Sequence, residues 1–449
     1  MPEEMKVAEQ IQEKKSFIKR FFEKYPVSDI ALLIGWIMCV LCGMMPEKNT
    51  ILSLVLFACL VVSWRHKNFY LFLALFMFFR ELMLIGSSTV FRIYSYMLVI
   101  KLAIEIQTLK IRTVHIPVFL WFALYTVVAV GSMNLRFGFN IIVDLIIVYF
   151  VLIRILEDDE LMRKFLFMIM LGGVASGVYG WTSDAVVEIN VGRHKTSETI
   201  SRYYGALHDA NFAGFFYILC FITALDLKKI KIWLRIPLMG LFLYLLLQTG
   251  SLSSLITAGA MVFFWTVLKF RQKALIWGTG VLVLVAMFIV AIWTIPALNQ
   301  IEIFSSIILR INERIVYLQQ GRWDMLTTDR YSLWMRALDL FNSQETWKQF
   351  IGGNVITTMI SESPLGSDFA CHQTYIQGLL NFGIVGAVLV FGTSVTVFIY
   401  RIIGYLTKWY KNDNCDIKRL QILYMFAFFV FGFSVDFFME WRYLFFYFI

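Results

Sequence analysis

Apolar runs of roughly 15 to 25 residues, each closed by Lys or Arg, recur along this chain, and nothing else in it constrains the fold as strongly. A run of that length reaches across the hydrocarbon core of a bilayer as a helix, which satisfies its backbone hydrogen bonds internally. Composition agrees. Of the 449 residues 59% are hydrophobic and 17% aromatic, and only 16% are charged, against about a quarter in a soluble domain. The short alternating segments of an outer-membrane barrel are absent. The fold expected is all-α: a polytopic helical membrane protein of about 12–14 transmembrane helices with a large external helical loop. The runs lie near 28–45, 50–64, 69–86, 90–106, 114–131, 139–155, 164–181, 204–225, 233–249, 252–268, 274–295, 373–400 and 419–437.

Orientation follows from the connections. The first residues, "MPEEMKVAEQIQEKKSFIKRFFEKYP", are too charged for a cleavable signal and suit a cytoplasmic amphipathic tail, 1–26. With that tail inside, the basic connections 65–67, 110–112, 154–164, 228–235, 269–273 and 401–419 all fall on the cytoplasmic side. That side then collects roughly 25 of the 40 Lys and Arg residues, as the positive-inside rule expects. The net charge of +9 is explained in this way without nucleic acid. The six cysteines, including the Cys39–Cys42 pair in an apolar run, read as small buried hydrophobes. Residues 27–449 read as a single transmembrane domain, including the external loop 297–371.

Two longer segments fall outside, 182–203 and 297–371. The second is far longer than an ordinary connection, and such segments are usually functional or disordered. It is patterned. "IFSSIILRINERIVYL" sets Phe304, Ile307, Ile308, Ile311, Ile315 and Leu318 at helical spacing, and "RYSLWMRALDLF" sets Trp334, Leu338 and Phe341 on one stripe. Both helices suit the membrane interface, where they would roof a cavity.

Charged residues within apolar runs need a reason, because each costs about 2.5 to 3.5 kcal/mol at a helix centre. Arg80 and Glu81 interrupt "LFLALFMFFRELMLIG", with Arg92 across the next short connection. They read either as a structural pair or as an arginine lining an outward cavity. Arg202 and Asn211 open the next candidate wall, "SRYYGALHDANFAGFF", as an interfacial anchor and helix cap or as residues near a substrate. In the large loop Arg310, Arg314, Arg322, Arg330 and Arg336 stand against a single Lys348. Arginine's planar fork suits phosphate and carboxylate, so the set points to an anionic ligand at the outer face. His372 begins a helix beside them, as an interfacial residue or as a proton-transfer group. A Cys371–His372 dyad is disfavoured, since adjacent helix residues point about 100° apart.

Three stretches in order resemble the O-antigen ligase and polymerase family. "RYYGALHDANFAGFFYILCFITAL" is similar to the family's Arg…Gly…Asn-Pro-Asn helix start through Arg202, Gly205 and Asn211. "DRYSLWMRALDLFNSQETWKQFIGGN" resembles its Arg-x3-Trp…Gly-x-Gly segment through Arg330, Trp334, Gly352 and Gly353. "HQTYIQGLLNFGIVG" resembles its His-Asn-x-Tyr-Leu…Gly-x-x-Gly start through His372, Tyr375, Gly383 and Gly386. Gln373 stands for the usual Asn, "LHDAN" replaces a proline turn, and "TGSLSSLITAG" lacks the Arg of the family's Thr-x-Ser-Arg-Ser/Gly stretch.

The resemblance implies a GT-C-like membrane enzyme of surface polysaccharide synthesis that polymerises or ligates undecaprenyl-diphosphate-linked saccharides at the outer membrane face. It implies His372 as catalytic base, Arg202, Arg330, Arg80 and Arg92 on the diphosphate, and Asn211, Tyr375 and Gln373 in the substrate cavity. A flippase and a chain-length regulator are the protein partners it implies. No cofactor and no metal are expected, because the outer connection "MPEKNT" lacks paired carboxylates and "EDDE" at 157–160 falls on the cytoplasmic side. The rival of another class is a transporter or flippase for the same lipids, which would need paired halves or a broken-helix repeat.

Overall fold

The computed structural model describes residues 26–109, 115–130, 149–191, 198–207, 209–327, 330–352, 371–409 and 413–437. The tail and the final stretch 438–449 lie outside the described residues. The chain is helical nearly throughout, as the apolar runs require. In order come α1 (Val27–Met44), α2 (Asn49–Ser63), α3 (Phe72–Phe79), α4 (Val90–Glu105) and α5 (Ile116–Val130). After them come α6 (Asp159–Thr182), α7 (Ala210–Asp226), α8 (Ile232–Gln248), α9 (Leu252–Phe270) and α10 (Ala274–Thr294). The external segment contributes α11 (Glu302–Gln319), α12 (Arg330–Ser343) and α13 (Thr346–Ile351), followed by α14 (Thr374–Ala387), α15 (Thr393–Gly404) and α16 (Cys415–Phe431). Among the described residues six segments are long and apolar enough to cross a membrane: 27–44, 46–63, 159–182, 252–270, 276–294 and 374–408. Shorter apolar helices occupy 67–79, 210–226 and 232–248. The architecture is that of an all-α polytopic membrane protein.

One run divides where the sequence suggested a continuous span. The helix of 69–86 ends at Phe79, and Arg80 and Glu81 lie in the turn that follows it. Strands β1 (Leu84–Ile85) and β2 (Ser88–Thr89) then form a minimal antiparallel hairpin through Gly86, whose φ of 60° is the left-handed value a tight turn needs. Thr89 caps α4 by accepting from the Arg92 amide. The charges thus avoid the helix interior, and with it the penalty that made them look anomalous.

Packing inside the bundle uses small residues on α6. A Cβ on Gly172 would meet the Phe78 ring at 2.6 Å, one on Gly173 the Cys220 sulfur at 2.5 Å, and one on Gly177 the Leu245 side chain at 2.9 Å. Bare backbone at these positions lets α3, α7 and α8 close around α6, the usual basis of helix association where lipid offers no hydrophobic drive. Aromatic side chains fill what remains, as in the edge-to-face Phe78–Phe216 pair and the stacked Phe215–Phe431 pair.

A layer of ion pairs ties the helix ends that carry the basic connections. Lys67 meets Asp158, Lys164 meets Asp29, Lys229 meets Glu160 and Lys418 meets Asp159, all within 3.1 Å. Those pairs are partly exposed and contribute little each. Two others are buried. Arg163 reaches Asp416 at 2.7 Å, and Arg419 grips Asp226 through Nε at 2.8 Å and Nη2 at 2.5 Å, with Nη1 donating to the Tyr405 hydroxyl. Asp226 also accepts from the Trp265 indole, so α7, α9 and α16 meet at one carboxylate.

Breaking a buried pair costs about 3–5 kcal/mol because the surviving charge is left without a partner. Arg419→Ala should therefore lower the thermal stability of the purified protein sharply, whereas Arg419→Met with Asp226→Leu should cost clearly less. Equal losses from the single and the double change, measured by unfolding in detergent, would contradict this account.

Candidate functional site

The end of the bundle opposite the ion-pair layer gathers Arg202, Arg310 and Arg330, which form no ion pair among the described residues. Its first element is a hairpin, β3 (Val186–Val191) with β4 (Glu198–Tyr203), registered from Val186 opposite Tyr203 to Val191 opposite Glu198. The hairpin was not foreseen from the sequence; β4 carries Arg202. The strand is laid on α6 by the Tyr203 hydroxyl, which donates to the Gly177 carbonyl at 2.5 Å, and by the Ala206 amide, which donates to Ser176 Oγ at 3.0 Å. Gly205 has a φ of 58°, and a Cβ there would meet the Tyr217 hydroxyl at 2.5 Å. Only glycine fits.

Arg202 is thereby aimed across the start of α7 and α9. Its Nε donates to the Thr249 carbonyl at 2.9 Å and its Nη2 to Asn211 Oδ1 at 2.9 Å. The same oxygen of Asn211 accepts from Ser251 Oγ at 2.9 Å, so one amide joins strand, α7 and α9. Asp209 caps α7 by accepting from the Asn211 and Phe212 amides at 2.7 and 3.0 Å. Gly214, one turn further on, lets the two helices touch, since a Cβ there would stand 2.3 Å from Ser254 Oγ.

The large loop supplies the facing wall. Arg330 is the first residue of α12, and its Nη1 donates to the Ser434 carbonyl at 2.6 Å. The turn after α16 that provides this carbonyl also anchors α14. The Thr374 amide donates to Gly432 O at 2.9 Å and its hydroxyl to Val435 O at 2.7 Å. His372 lies two residues before Thr374, and its φ is 51°, a left-handed value uncommon outside glycine and a form of stored strain. Desolvation lowers the imidazole pKa first and the Arg330 charge lowers it further, while Asp209 opposes them. The ring is therefore neutral at neutral pH.

The apolar stripe of α12 does not lie on a lipid interface as expected. Ala337 and Phe341 bury against Leu380 and Cys371, with Trp334, Ile376 and Leu379 around them, so α12 docks on α14. Below this contact α14 is broken. Gly383 has φ 65° and ψ −173° inside the helix, and Gly352, at the end of α13 with φ 80°, fits the break. A Cβ on Gly352 would stand 2.4 Å from the Asn381 carbonyl and one on Gly383 2.5 Å from the Gly352 amide nitrogen. Gly352 and Gly383, two of the glycines named by the resemblance, form one backbone-to-backbone crossing. Gly353 lies outside the described residues.

Other expected residues are placed differently. Tyr375 donates to the Phe429 carbonyl at 2.7 Å and stacks among Phe391 and Phe433, toward α16. Gln373 is buried and caps α14, its side chain accepting from the Ile376 amide. Arg80 lies over the Phe91 ring and Arg92 is exposed on the first turn of α4. The charge neighbours that perturb Arg202, Arg310, Arg330 and His372 are one another with Asp209, Glu313 and Arg314. Arg314 turns back to the Met325 carbonyl, Arg322 lies over Tyr317, and Arg336 is exposed. Cys371 is fully buried, its thiol pushed up by desolvation and directed at the Gln373 carbonyl, which leaves no dyad with His372. A cavity of about 470 Å³ belongs to the ion-paired end, beside Asp29, Lys164 and Trp233, and is remote from this cluster.

Residues 234–391 match the family model for O-antigen ligase. Over this stretch the chain is similar to the O-antigen ligase family. No curated protein matches it. The matched stretch runs from α8 through α14 and so holds Arg310, Arg330 and His372, while Arg202, Asp209 and Asn211 precede it and Ser434 follows it. The arginine cluster is completed by elements on both flanks of the matched stretch.

If the glycine crossing locates His372 and Arg330, Gly352→Ala and Gly383→Ala should each dislodge the external helices. Limited proteolysis of the purified protein should then cut the loop at least about tenfold faster, the equivalent of some 1.4 kcal/mol of lost docking. Unchanged cutting in both variants would remove the crossing from the account.

Proposed function

We propose that the chain transfers a saccharide from an undecaprenyl-diphosphate carrier to an acceptor hydroxyl at the outer face of the cytoplasmic membrane, as a polysaccharide polymerase or ligase. One observation carries the reading: His372 stands close enough to Arg330 for that charge to lower its imidazole pKa, and Arg202 and Arg330 are held by carbonyl and amide oxygens, with no ion pair among the described residues. Four helices also begin here, α7, α9, α12 and α14, and each presents the positive end of its dipole. In this reading the ion-paired end, rich in Lys and Arg, faces the cytoplasm.

The chemistry balances with these parts. His372 accepts the proton of the acceptor hydroxyl, whose oxygen forms the new bond to the anomeric carbon. The bond from that carbon to the phosphate oxygen breaks, and the lipid diphosphate leaves with the electron pair. Arg202 and Arg330 offset the charge that appears on it, and do so most effectively where water is scarce. Arg80, in the turn after α3, and Arg92, on the first turn of α4, are not among the charges that perturb Arg202, Arg310, Arg330 and His372.

A general base contributes about 10²–10⁴-fold, so His372→Ala should lose turnover on that scale while the protein still reaches the membrane. Because the folded imidazole pKa is lowered, the base form persists as pH falls, and the acid limb of turnover should have its midpoint below about 6.5. The assay supplies purified protein with an undecaprenyl-diphosphate oligosaccharide, chelator present, and separates products by size. A ladder of longer lipid-linked chains means a polymerase, and one transfer to an added acceptor means a ligase. Full activity of His372→Ala, or movement of lipid across liposomes without transfer, would overturn the proposal in favour of a transporter.

A further inference from the structure

The turn 249–251 poses a problem that the geometry resolves. In the family this stretch carries an arginine where this chain has Leu252, so the turn between α8 and α9 brings no charge of its own. Gly250 holds it in a left-handed conformation, φ 57°, and Ser251 caps α9 with its hydroxyl. Two side chains close on the Gly250 α-carbon from other elements. Where a Cβ would stand, Arg310 Nη1 is 3.6 Å away and Arg202 Cγ and Nε are 3.7 and 4.0 Å away.

We infer that Arg310, projected from α11, supplies the guanidinium that this turn lacks and binds a phosphate of the diphosphate over Gly250 together with Arg202. The inference rests on the proposed carrier chemistry and names a further residue of that site. Arg202 has spent two of its donors on Thr249 and Asn211, so it is fixed in place. Arg310 has not: its Nη1 is buried and meets no acceptor among the described residues. A buried donor left unsatisfied costs free energy, and native structures rarely tolerate one without a function. Burial and the charges of Arg202, Arg314 and Arg330 all press against its cationic form, which an anion would relieve. The glycine matters as well, because bare backbone lets an oxygen approach the α9 amide end between the two forks. A phosphate with several oxygens satisfies both guanidiniums at once, as a neutral sugar hydroxyl cannot.

The test compares Arg310→Ala, Arg310→Lys and the double variant Arg310→Ala/Leu252→Arg in the full-length protein in detergent. Inorganic pyrophosphate is titrated calorimetrically, and turnover of the lipid-linked oligosaccharide is measured alongside. Loss of a charge-assisted contact should weaken pyrophosphate binding at least about tenfold in Arg310→Ala. Lysine should recover only part of this, since it offers a point charge and no fork. Leu252→Arg should restore binding from the turn itself. Arg310→Gln, which keeps bulk and an amide, replaces the alanine variant if that one does not fold. Wild-type pyrophosphate affinity in the alanine or glutamine variant, or no pyrophosphate binding by the wild type, would overturn the assignment. The two readings fail separately. Transfer that needs His372 but ignores Arg310 sinks this inference alone. Pyrophosphate binding that needs Arg310, without any saccharide transfer, sinks the carrier chemistry and leaves the anion site. Weaker turnover with unchanged pyrophosphate affinity would also count against Arg310 as a phosphate ligand.

Discussion

Arg202, Arg310 and Arg330 repel one another, and much of the structure serves to keep them together. None is neutralised by a described carboxylate; each charge neighbour of the same sign raises the cost of the next. What holds Arg202 and Arg330 is backbone: the carbonyls of Thr249 and Ser434, at turns after α8 and α16. Those turns are fixed because the helices that lead into them are fixed. The Arg419–Asp226 clamp and the Arg163–Asp416 pair lock α16 to α7 and α6 at the far end. Rigid helices then carry that constraint to the arginine end.

The molecule therefore sorts its charges by partner as much as by sign. Lysines and arginines at one end meet Asp and Glu within hydrogen-bond distance, and a wide polar layer results. At the other end the cations sit against carbonyls and amides, which satisfy geometry without cancelling charge. A site built in this way holds a lasting positive potential, which low-dielectric surroundings focus.

How far the sequence spoke depended on distance along the chain. Helices were legible because hydropathy and its period are local, and runs such as 233–249 and 252–268 fall on α8 and α9 to within a few residues. Arg202, Asn211, Arg330 and His372 were legible because each opens or precedes an element that spacing could place. The division after Phe79 was missed because hydropathy averages over the two charges at 80 and 81 and cannot see a turn of Gly86. The β3–β4 hairpin was missed although "VEINV" at 187–191 alternates apolar and polar, because the short strands sit between long apolar runs that dominate the hydropathy. Tyr375 and Gln373 share the helix start with His372, but their side chains leave in other directions, one to α16 and one back to its own helix end. Arg310 was one of five arginines in its loop, and nothing short of tertiary packing sets it over Gly250. The turn 432–437 gave no signal at all, since its contribution is three backbone carbonyls, Ser434 to Arg330 and Gly432 and Val435 to Thr374.

The left-handed bend at His372 restricts which residues this position can ever carry. A β-branched or bulky side chain with φ near 51° clashes with its own backbone, by about 1–2 kcal/mol. Gly, Asn, Asp and His are the residues that enter that region readily. Of these four, only histidine takes up and releases a proton near neutral pH. Backbone shape thus favours a short list of residues here, of which histidine is the one that combines the bend with a titratable ring.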